Sequence, residues 1–201
     1  MKKILSILLF TVAITGCASQ GVQLVDTSND TAGTVMGLEY RDFEKAAAES
    51  VQSMLATGAV TNPNGGRYVM AVSRVINDTM QRIDTDQLIK KIRIELLNSG
   101  KVVVTTAVGL NGPEDQMAYA ARELRGNDEF DQSRVARKRS LQAPDLSLSG
   151  KIMQRNHAMG RGQTQVEYSF QLTLTDINTG LAIWEGETPI VKRGSSKTVS
   201  W

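Results

Sequence analysis

The hydrophobic pattern is clearest between Arg67 and Val104, where two apolar runs flank an amphipathic segment. The first run, Tyr68 to Ile76, is rich in β-branched residues, which is typical of a strand covered on both faces. In the next segment apolar residues recur at helical spacing, at Leu88, Ile89, Ile92 and Leu96. A second strand, Lys101 to Thr105, follows. The pattern therefore predicts a βαβ crossover with two parallel strands and a helix packed against them.

Polar residues mark both ends of this predicted helix. Asp84 lies three residues before Gln87, the spacing of an N-cap and its reciprocal partner, and Asn98-Ser99-Gly100 supplies a C-terminal stop. Asp84 and Asp86 could also suggest calcium, but the glycine and the distal glutamate of a calcium loop are missing. Helix capping accounts for both aspartates.

Three further helices are predicted from spacing and breaks. Apolar residues recur from Asp42, a candidate N-cap, to Gly58, a candidate stop. After a break at Gly109 to Pro113, the stretch Met117 to Leu124 predicts a short amphipathic helix. Asp131 to Leu141 predicts another short helix.

The last third of the chain predicts a hairpin. One strand runs from about Leu146 to Arg155, a mobile loop spans Asn156 to Gln163, and Val166 to Leu174 alternates strictly between apolar and polar residues. A turn at Asp176 to Gly180 leads to a further strand, Leu181 to Glu187. The predicted fold class is α/β: a mixed β-sheet of about four to five strands with helices packed on it, a βαβ start and an antiparallel C-terminal hairpin.

Several short motifs resemble one family of envelope proteins, the outer-membrane lipoproteins of the LpoB type, which activate penicillin-binding proteins. In chain order they are Asn77-Asp78-Thr79, Ile83-Asp84-Thr85-Asp86, Asn98-Ser99-Gly100-Lys101, Glu123-Leu124, Gln142-Ala143-Pro144-Asp145, Ser149-Gly150-Lys151-Ile152, Thr179-Gly180, Ile183-Trp184 and Gly186. The resemblance covers roughly residues 40 to 190. It implies a regulatory domain that docks on a bifunctional peptidoglycan synthase and needs no cofactor.

The N-terminus has the three parts of a secretory signal: Lys2 and Lys3, an apolar run from Ile4 to Ala13, and small residues before a break. The run is too short to span a bilayer permanently. Its end, Ile14-Thr15-Gly16-Cys17, resembles a bacterial lipobox, which implies that Cys17 is acylated and becomes the new N-terminus. By the same resemblance, Ala18 and Ser19 after the cysteine favour the outer membrane. The predicted regions are a signal peptide at 1–16, a lipidated tether at 17–39 and one α/β domain at 40–201.

Residues 18 to 38 are mostly small and polar with no periodicity, so we predict a flexible tether. Fully extended, its roughly 21 residues span at most about 70 Å, and as a coil about 25 Å. The resemblance implies a partner in the other membrane, usually reached through a longer, proline-rich tether.

Charge and cysteine content narrow the function classes. The chain has 23 Lys+Arg and 21 Asp+Glu, and loss of Lys2 and Lys3 with the signal makes the mature chain formally neutral. No electrostatic argument for nucleic-acid binding remains. Cys17 is the only cysteine, so no disulfide within the chain is possible.

No catalytic constellation is evident. The single histidine, His157, falls in the predicted loop, where an exposed residue without function is the simpler interpretation. Glu114 and Asp115 follow Pro113, where a helix N-terminus favours negative charge. Gly160-Arg161-Gly162 lacks the third glycine and the following apolar helix of a phosphate-binding loop. We predict that the protein is not an enzyme and that it has no metal site and no cofactor.

One cluster allows two interpretations. Arg134, Arg137, Lys138 and Arg139 follow the acidic Asp128, Glu129 and Asp131. They could form a solvated helix face with local salt bridges. Alternatively, they belong to a partner-binding patch, since arginine and tyrosine often anchor interfaces. The candidate contact residues of that patch are Tyr119, Arg122, Arg125, Arg134, Arg137 and Arg139.

Two functions remain in competition. The resemblance implies an activator of a bifunctional penicillin-binding protein, anchored in the outer membrane and acting in cell-wall synthesis. The short tether instead favours a structural or assembly lipoprotein of a curli-like secretion system or of the flagellar base. The identity of the partner, the docking face and the oligomeric state stay open.

Overall fold

The computed structural model describes residues 35–109 and 114–198, all within one structural unit, Val35–Trp201. The predicted signal peptide, Cys17 and most of the predicted tether lie outside the described residues, as does most of the break between Gly109 and Pro113. The elements in chain order are α1 (Tyr40–Ala56), β1 (Tyr68–Asp78), α2 (Thr85–Asn98), β2 (Val102–Val104), α3 (Met117–Glu123), β3 (Leu146–Gly160), β4 (Gln163–Asp176), β5 (Ala182–Ser195) and a 3-10 turn (Ser196–Thr198).

The strands form one five-stranded mixed sheet in the order β2-β1-β3-β4-β5. β1 is parallel to both β2 and β3, and β4 is antiparallel to β3 and β5. This arrangement confirms the predicted fold class, the parallel βαβ crossover and the antiparallel C-terminal strands.

Helix α2 forms where its caps predict it. The Asp84 carboxylate accepts a hydrogen bond from the Asp86 amide at 3.0 Å, and Gly100 follows the helix at φ +68°. The bond comes from Asp86, so the predicted pairing with Gln87 is wrong while the N-cap itself is confirmed. Leu88, Ile92 and Leu96 are buried against the sheet.

The N-cap of helix α1 lies three residues before the predicted one. Glu39 is the N-cap, and Asp42 is the third helical residue, whose carboxylate accepts from the Glu39 amide at 2.8 Å. Gly58, at φ +74°, follows the end of the helix as predicted. Phe43 of this helix packs edge-on against Phe170 of β4, with ring centroids 6.1 Å apart.

The core lies between the sheet and the pair α1 and α2, so one face of the sheet is left open. The prediction that β1 is covered on both faces is wrong, because Ile76 is 55% exposed. A single crossover places its helix on one side only, and α3 has no buried residue with which to cover the other side. Along β4 the apolar residues accordingly face the helices and the polar residues face solvent.

The C-terminal hairpins are longer than predicted. β3 and β4 pair from Leu146 and Asp176 to Gly160 and Gln163, so the predicted loop from Asn156 to Gln163 is wrong. Only Arg161 and Gly162 form the turn, both at positive φ. β5 likewise continues to Ser195 beyond the predicted end. The ends of these strands extend past the core, so their residues are exposed. They do not alternate between apolar and polar residues, and the sequence therefore gives no signal for a strand there.

The helix predicted at Asp131 to Leu141 does not form. This stretch is a series of turns, and Arg139 adopts φ +61°, which a helix does not allow. No apolar stripe packs the segment on the core, and nearby side chains satisfy part of its backbone instead. α3 forms at the predicted position, but its predicted apolar face stays exposed, with Met117 at 67%.

Candidate functional site

The predicted partner-binding residues all lie in the connection between β2 and β3, which we call the β2–β3 insertion (residues 105–145). Backbone hydrogen bonds and one ion pair join this insertion to the domain. The Thr105 amide donates to the Met70 carbonyl at 2.9 Å, the Asp145 amide donates to the Val69 carbonyl at 2.7 Å, and Arg93 of α2 pairs with Glu114. Inside the insertion, the Tyr119 hydroxyl donates to the Ala107 carbonyl at 3.0 Å. The Tyr119 hydroxyl is therefore bonded within the insertion, although the residue is 42% exposed.

Arg122 and Arg125 are half-buried and point into the insertion. Arg125 Nε donates to the Ala136 carbonyl at 2.7 Å, and Arg122 Nη2 donates to the Ser140 hydroxyl at 3.1 Å. Both side chains thus hold the following turns in place.

The Gln132 side chain organises the first of these turns. Its Nε2 donates to the carbonyls of Asn127 at 2.8 Å and Phe130 at 3.0 Å, and its Oε1 accepts from the Gly126 amide at 2.9 Å. One side chain therefore supplies the bonds that a helix or strand would otherwise provide.

Residues 134–139, which we call the basic turn, carry the remaining predicted arginines. Arg134 forms an ion pair with Asp131 at 3.7 Å, but both side chains are largely exposed. The Ser133 hydroxyl, bonded to Asp131, holds the pKa of that carboxyl below its usual value. Among the described residues no carboxylate lies within salt-bridge distance of Arg137, Lys138 or Arg139, and all three are exposed.

The pattern analysis missed a second polar cluster, at the N-terminal edge of the domain. Met36 is 8% exposed and belongs to the core, four residues before the predicted domain start. Four side chains, which we call the tether clamp, hold the backbone of residues 36–39; they are Asp42, Gln81, Tyr168 and Lys192. The domain therefore includes residues 36–39, which the sequence pattern assigned to the predicted tether.

Lys192 provides the central contacts of the clamp. Its Nζ donates to the Gly37 carbonyl at 2.7 Å and to Asp42 Oδ2 at 2.6 Å, with 9% of the lysine side chain and 11% of the aspartate side chain exposed. One signal in the sequence could have revealed it. Trp184, Thr188 and Ile190 alternate onto the buried face of β5, and Lys192 is next in that register.

Tyr168 and Gln81 complete the clamp. The Tyr168 hydroxyl donates to the Met36 carbonyl at 3.2 Å and accepts from Gln81 Nε2 at 2.6 Å, while Gln81 Oε1 accepts from the Leu38 amide at 3.2 Å. Burial raises the pKa of Tyr168 to about 12. The phenol therefore stays protonated at physiological pH and acts as a fixed hydrogen-bond donor.

A third polar cluster joins α1 to α2. Lys91 Nζ lies 2.6 Å from both Glu44 Oε1 and the Tyr40 hydroxyl, and 3.9 Å from the centre of the Tyr40 ring. The bond from Lys91 lowers the pKa of Glu44. Burial lowers the pKa of Lys91, but its bonds to Glu44 and Tyr40 outweigh this and raise it overall. These pKa shifts favour the charged forms of Lys91 and Glu44. The cluster therefore joins the two helices through an ion pair, and neither group has a pKa suited to proton transfer.

Neither His157 nor the acidic residues form a reactive site. His157 lies on β3, not in a loop, with Nε2 3.3 Å from Glu167 Oε2 on the open face. No group of three or more potential metal ligands occurs in the described part of the chain. None of the helices within residues 35–109 and 114–198 has the length and apolar character to cross a bilayer.

The open sheet face is mainly polar, although Ile76 and Val191 are also exposed on it. Its side chains largely bond to one another across strands: Lys151 with Asp78 at 2.6 Å, Thr173 with Glu185 at 3.3 Å, Ser169 with Glu187, and Arg193 with Gln165. Such pairs satisfy the face without a ligand.

Comparisons with known proteins identify the family. The model of the family described as peptidoglycan-synthase activator LpoB matches residues 42–190, well over half of the chain. The comparison with curated proteins gave no match.

Two solved structures illustrate the likeness. The LpoB C-terminal domain from Salmonella enterica is 17% identical, with 74% of this chain and 98% of that chain covered and a TM-score of 0.44. The NMR structure of Escherichia coli LpoB is also 17% identical, with 93% and 84% covered and a TM-score of 0.42. On the family match across residues 42–190, this chain belongs to the LpoB family of peptidoglycan-synthase activators.

Proposed function

We propose that this chain is an outer-membrane lipoprotein that binds a bifunctional peptidoglycan synthase and raises its rate. The observation that carries the proposal is the family match over residues 42–190. The three polar clusters of the domain support it, because each one links structural elements and none combines a nucleophile, a base and an open pocket. A protein of this kind acts by binding rather than by its own chemistry.

Activation then follows from differential affinity. An effector shifts its partner only as far as it binds the active state more tightly than the inactive one. A tenfold rise in rate through such a shift needs a preference of about 1.4 kcal/mol, which a few well-placed side chains can supply. No cofactor is required for this mechanism.

The anchor is proposed at Cys17, where the lipobox-like run ends. Several acyl chains on one residue bind a bilayer far more strongly than a single chain does. Replacing Cys17 with alanine should move the protein from the outer-membrane fraction to the soluble periplasmic fraction. If Cys17→Ala still sediments with the outer membrane, the chain is anchored elsewhere.

The length of the tether favours a second candidate function. Because Met36 is packed in the core, only about 18 residues separate Cys17 from the domain, or at most about 60 Å fully extended. That limited reach also suits a lipoprotein that assembles with other components near the outer membrane, such as a secretion channel or the flagellar base.

The deciding experiment mixes residues 18–201 of the chain with purified synthase and lipid-linked substrate. We expect saturating protein to raise the polymerising or cross-linking rate severalfold. The same protein unfolded in advance serves as the control for non-specific effects. An unchanged rate with every bifunctional synthase of the organism would reject activation and favour the assembly function.

A further inference from the structure

The tether clamp and the β2–β3 insertion lie at opposite ends of the sheet. The insertion leaves β2 beside Met70, where the Thr105 amide donates to the Met70 carbonyl, and it returns to Leu146, the register partner of Met70. The clamp residue Tyr168 instead pairs with Gln154, eight residues further along β3. At about 3.3 Å per residue, the two levels are about 26 Å apart.

This placement gives the domain a direction. The chain that precedes Val35 is joined at the clamp end, so the predicted lipid anchor is attached there. The insertion lies at the end away from that attachment. If a partner lies farther from the anchor than the tether can reach, the insertion is the part of the domain that comes nearest to it.

Charge is also concentrated at the insertion. Between Gln132 and Pro144 the chain has four cations and no carboxylate, although the mature chain as a whole is neutral. Exposed apolar side chains flank the basic turn on both sides, Phe130 at 45% and Leu141 at 40% exposure. Arginine and aromatic residues are both enriched at protein interfaces.

The backbone of the basic turn is fixed before any partner binds. The Arg137 carbonyl accepts from the Ser140 hydroxyl at 2.9 Å and from Arg125, and Ser140 is in turn bonded by Arg122. Arg139 at φ +61° is thereby held in a conformation that is rare for residues other than glycine. A turn held in one shape loses less entropy on binding than a flexible one.

We propose that the basic turn at the distal end docks on an acidic surface of a folded protein partner, through Arg137, Lys138 and Arg139 as contact residues. Arg122 and Arg125 act as positioning residues. This assignment rests on the proposed function, since the partner is the synthase. The open sheet face is less suited to the role, because its charges largely bond to one another.

The test is a matched pair of charge reversals in residues 18–201. Arg137→Glu with Lys138→Glu changes the net charge by four units at the basic turn. Arg82→Glu with Lys90→Glu makes the same change at exposed cations of the β1–α2 loop and α2, away from the insertion. Binding to the immobilised synthase is measured at low and at high salt.

We expect the first variant to weaken binding about tenfold or more at low salt, with a smaller loss at high salt, and the control to change it less than about twofold. Both variants should unfold at the wild-type denaturant midpoint. Equal losses in the two variants would overturn the proposal, because they would show an effect of net charge alone.

Two further results would also overturn it. Wild-type activation with undiminished binding of Arg137→Glu/Lys138→Glu would place the docking surface elsewhere and leave the proposed function intact. Loss of binding to phosphatidylglycerol vesicles, with synthase binding unchanged, would identify a lipid surface as the occupant. A wild-type protein that neither binds nor activates any synthase would instead reject the proposed function itself.

Discussion

The two ends of the sheet are held by polar side chains in opposite environments. At the tether clamp, Lys192 and Asp42 are about nine-tenths buried and fix residues 36–39 on the core. In the β2–β3 insertion, Gln132 and Arg125 also bond to backbone carbonyls, but α3 has no buried residue. When one member of a buried pair is removed, the remaining charge is left without a partner and without water. When one member of an exposed pair is removed, water takes its place. We therefore expect the clamp to determine global stability and the insertion bonds to determine local order.

The largest effect is expected from Lys192→Met. This change leaves the Asp42 carboxylate buried without its partner 2.6 Å away, and it should lower the free energy of unfolding by about 3 kcal/mol. Urea denaturation of residues 18–201 measures it. Lys45→Met is the matched control, because its pair with Glu49 is exposed and weak, worth about 0.5 kcal/mol or less. Similar losses of unfolding free energy in both variants would contradict the expectation that the buried clamp determines global stability.

A smaller effect is expected from Tyr168→Phe, which removes the bonds to the Met36 carbonyl and to Gln81. The loss should be about 1 kcal/mol at neutral pH. The folded pKa of Tyr168, about 12, lies above its ordinary value of 10.0. The phenol therefore contributes stability fully below pH 10, and this contribution is lost as pH rises from about 10 to about 12.

Absorbance titration of the phenols tests this directly. The folded wild type should show a component with a midpoint near pH 12 that Tyr168→Phe lacks and that Tyr119→Phe, at an exposed position, retains. If Tyr168→Phe instead removed a component with a midpoint near pH 10, the hydroxyl would be open to solvent.

The smallest global effect is expected from Gln132→Ala. The variant loses bonds to the carbonyls of Asn127 and Phe130 and to the Gly126 amide, all at exposed positions. We expect less than about 1 kcal/mol in the free energy of unfolding, but up to about tenfold faster amide exchange in residues 124–134. Exchange that accelerates across the whole sheet would instead show that the insertion is part of the cooperative core.

The sequence correctly predicted those elements of the fold that depend on a single local pattern. The spacing of Leu88, Ile92 and Leu96 and the cap at Asp84 predicted α2, and the crossover predicted the parallel strands. The faultless alternation along β4 located the central antiparallel strand. These features depend on periodicity within one element, which is visible without tertiary contacts.

Features set by contacts between distant residues could not be predicted in the same way. The clamp joins Met36 to Tyr168, 132 positions apart, and no pattern around Met36 indicates burial. A helix was predicted at Asp131 to Leu141, but side-chain bonds from Arg125 and Ser140 to backbone carbonyls hold the basic turn in a non-helical conformation. The partner role of the predicted residues, Tyr119 and Arg134 among them, stays a proposal.

The clamp also decides how the domain responds to force. Any pull transmitted from a membrane anchor reaches the domain at Val35, so residues 36–39 are loaded before the strands. Their attachment consists of a few hydrogen bonds and one buried side chain, Met36, whereas β4 and β5 are joined along their whole length. We expect this segment to detach first, which would lengthen the tether by at most about 14 Å while the sheet stays folded. In a chain anchored as proposed, an overstretched link to the membrane would therefore extend at residues 36–39 before the sheet unfolds.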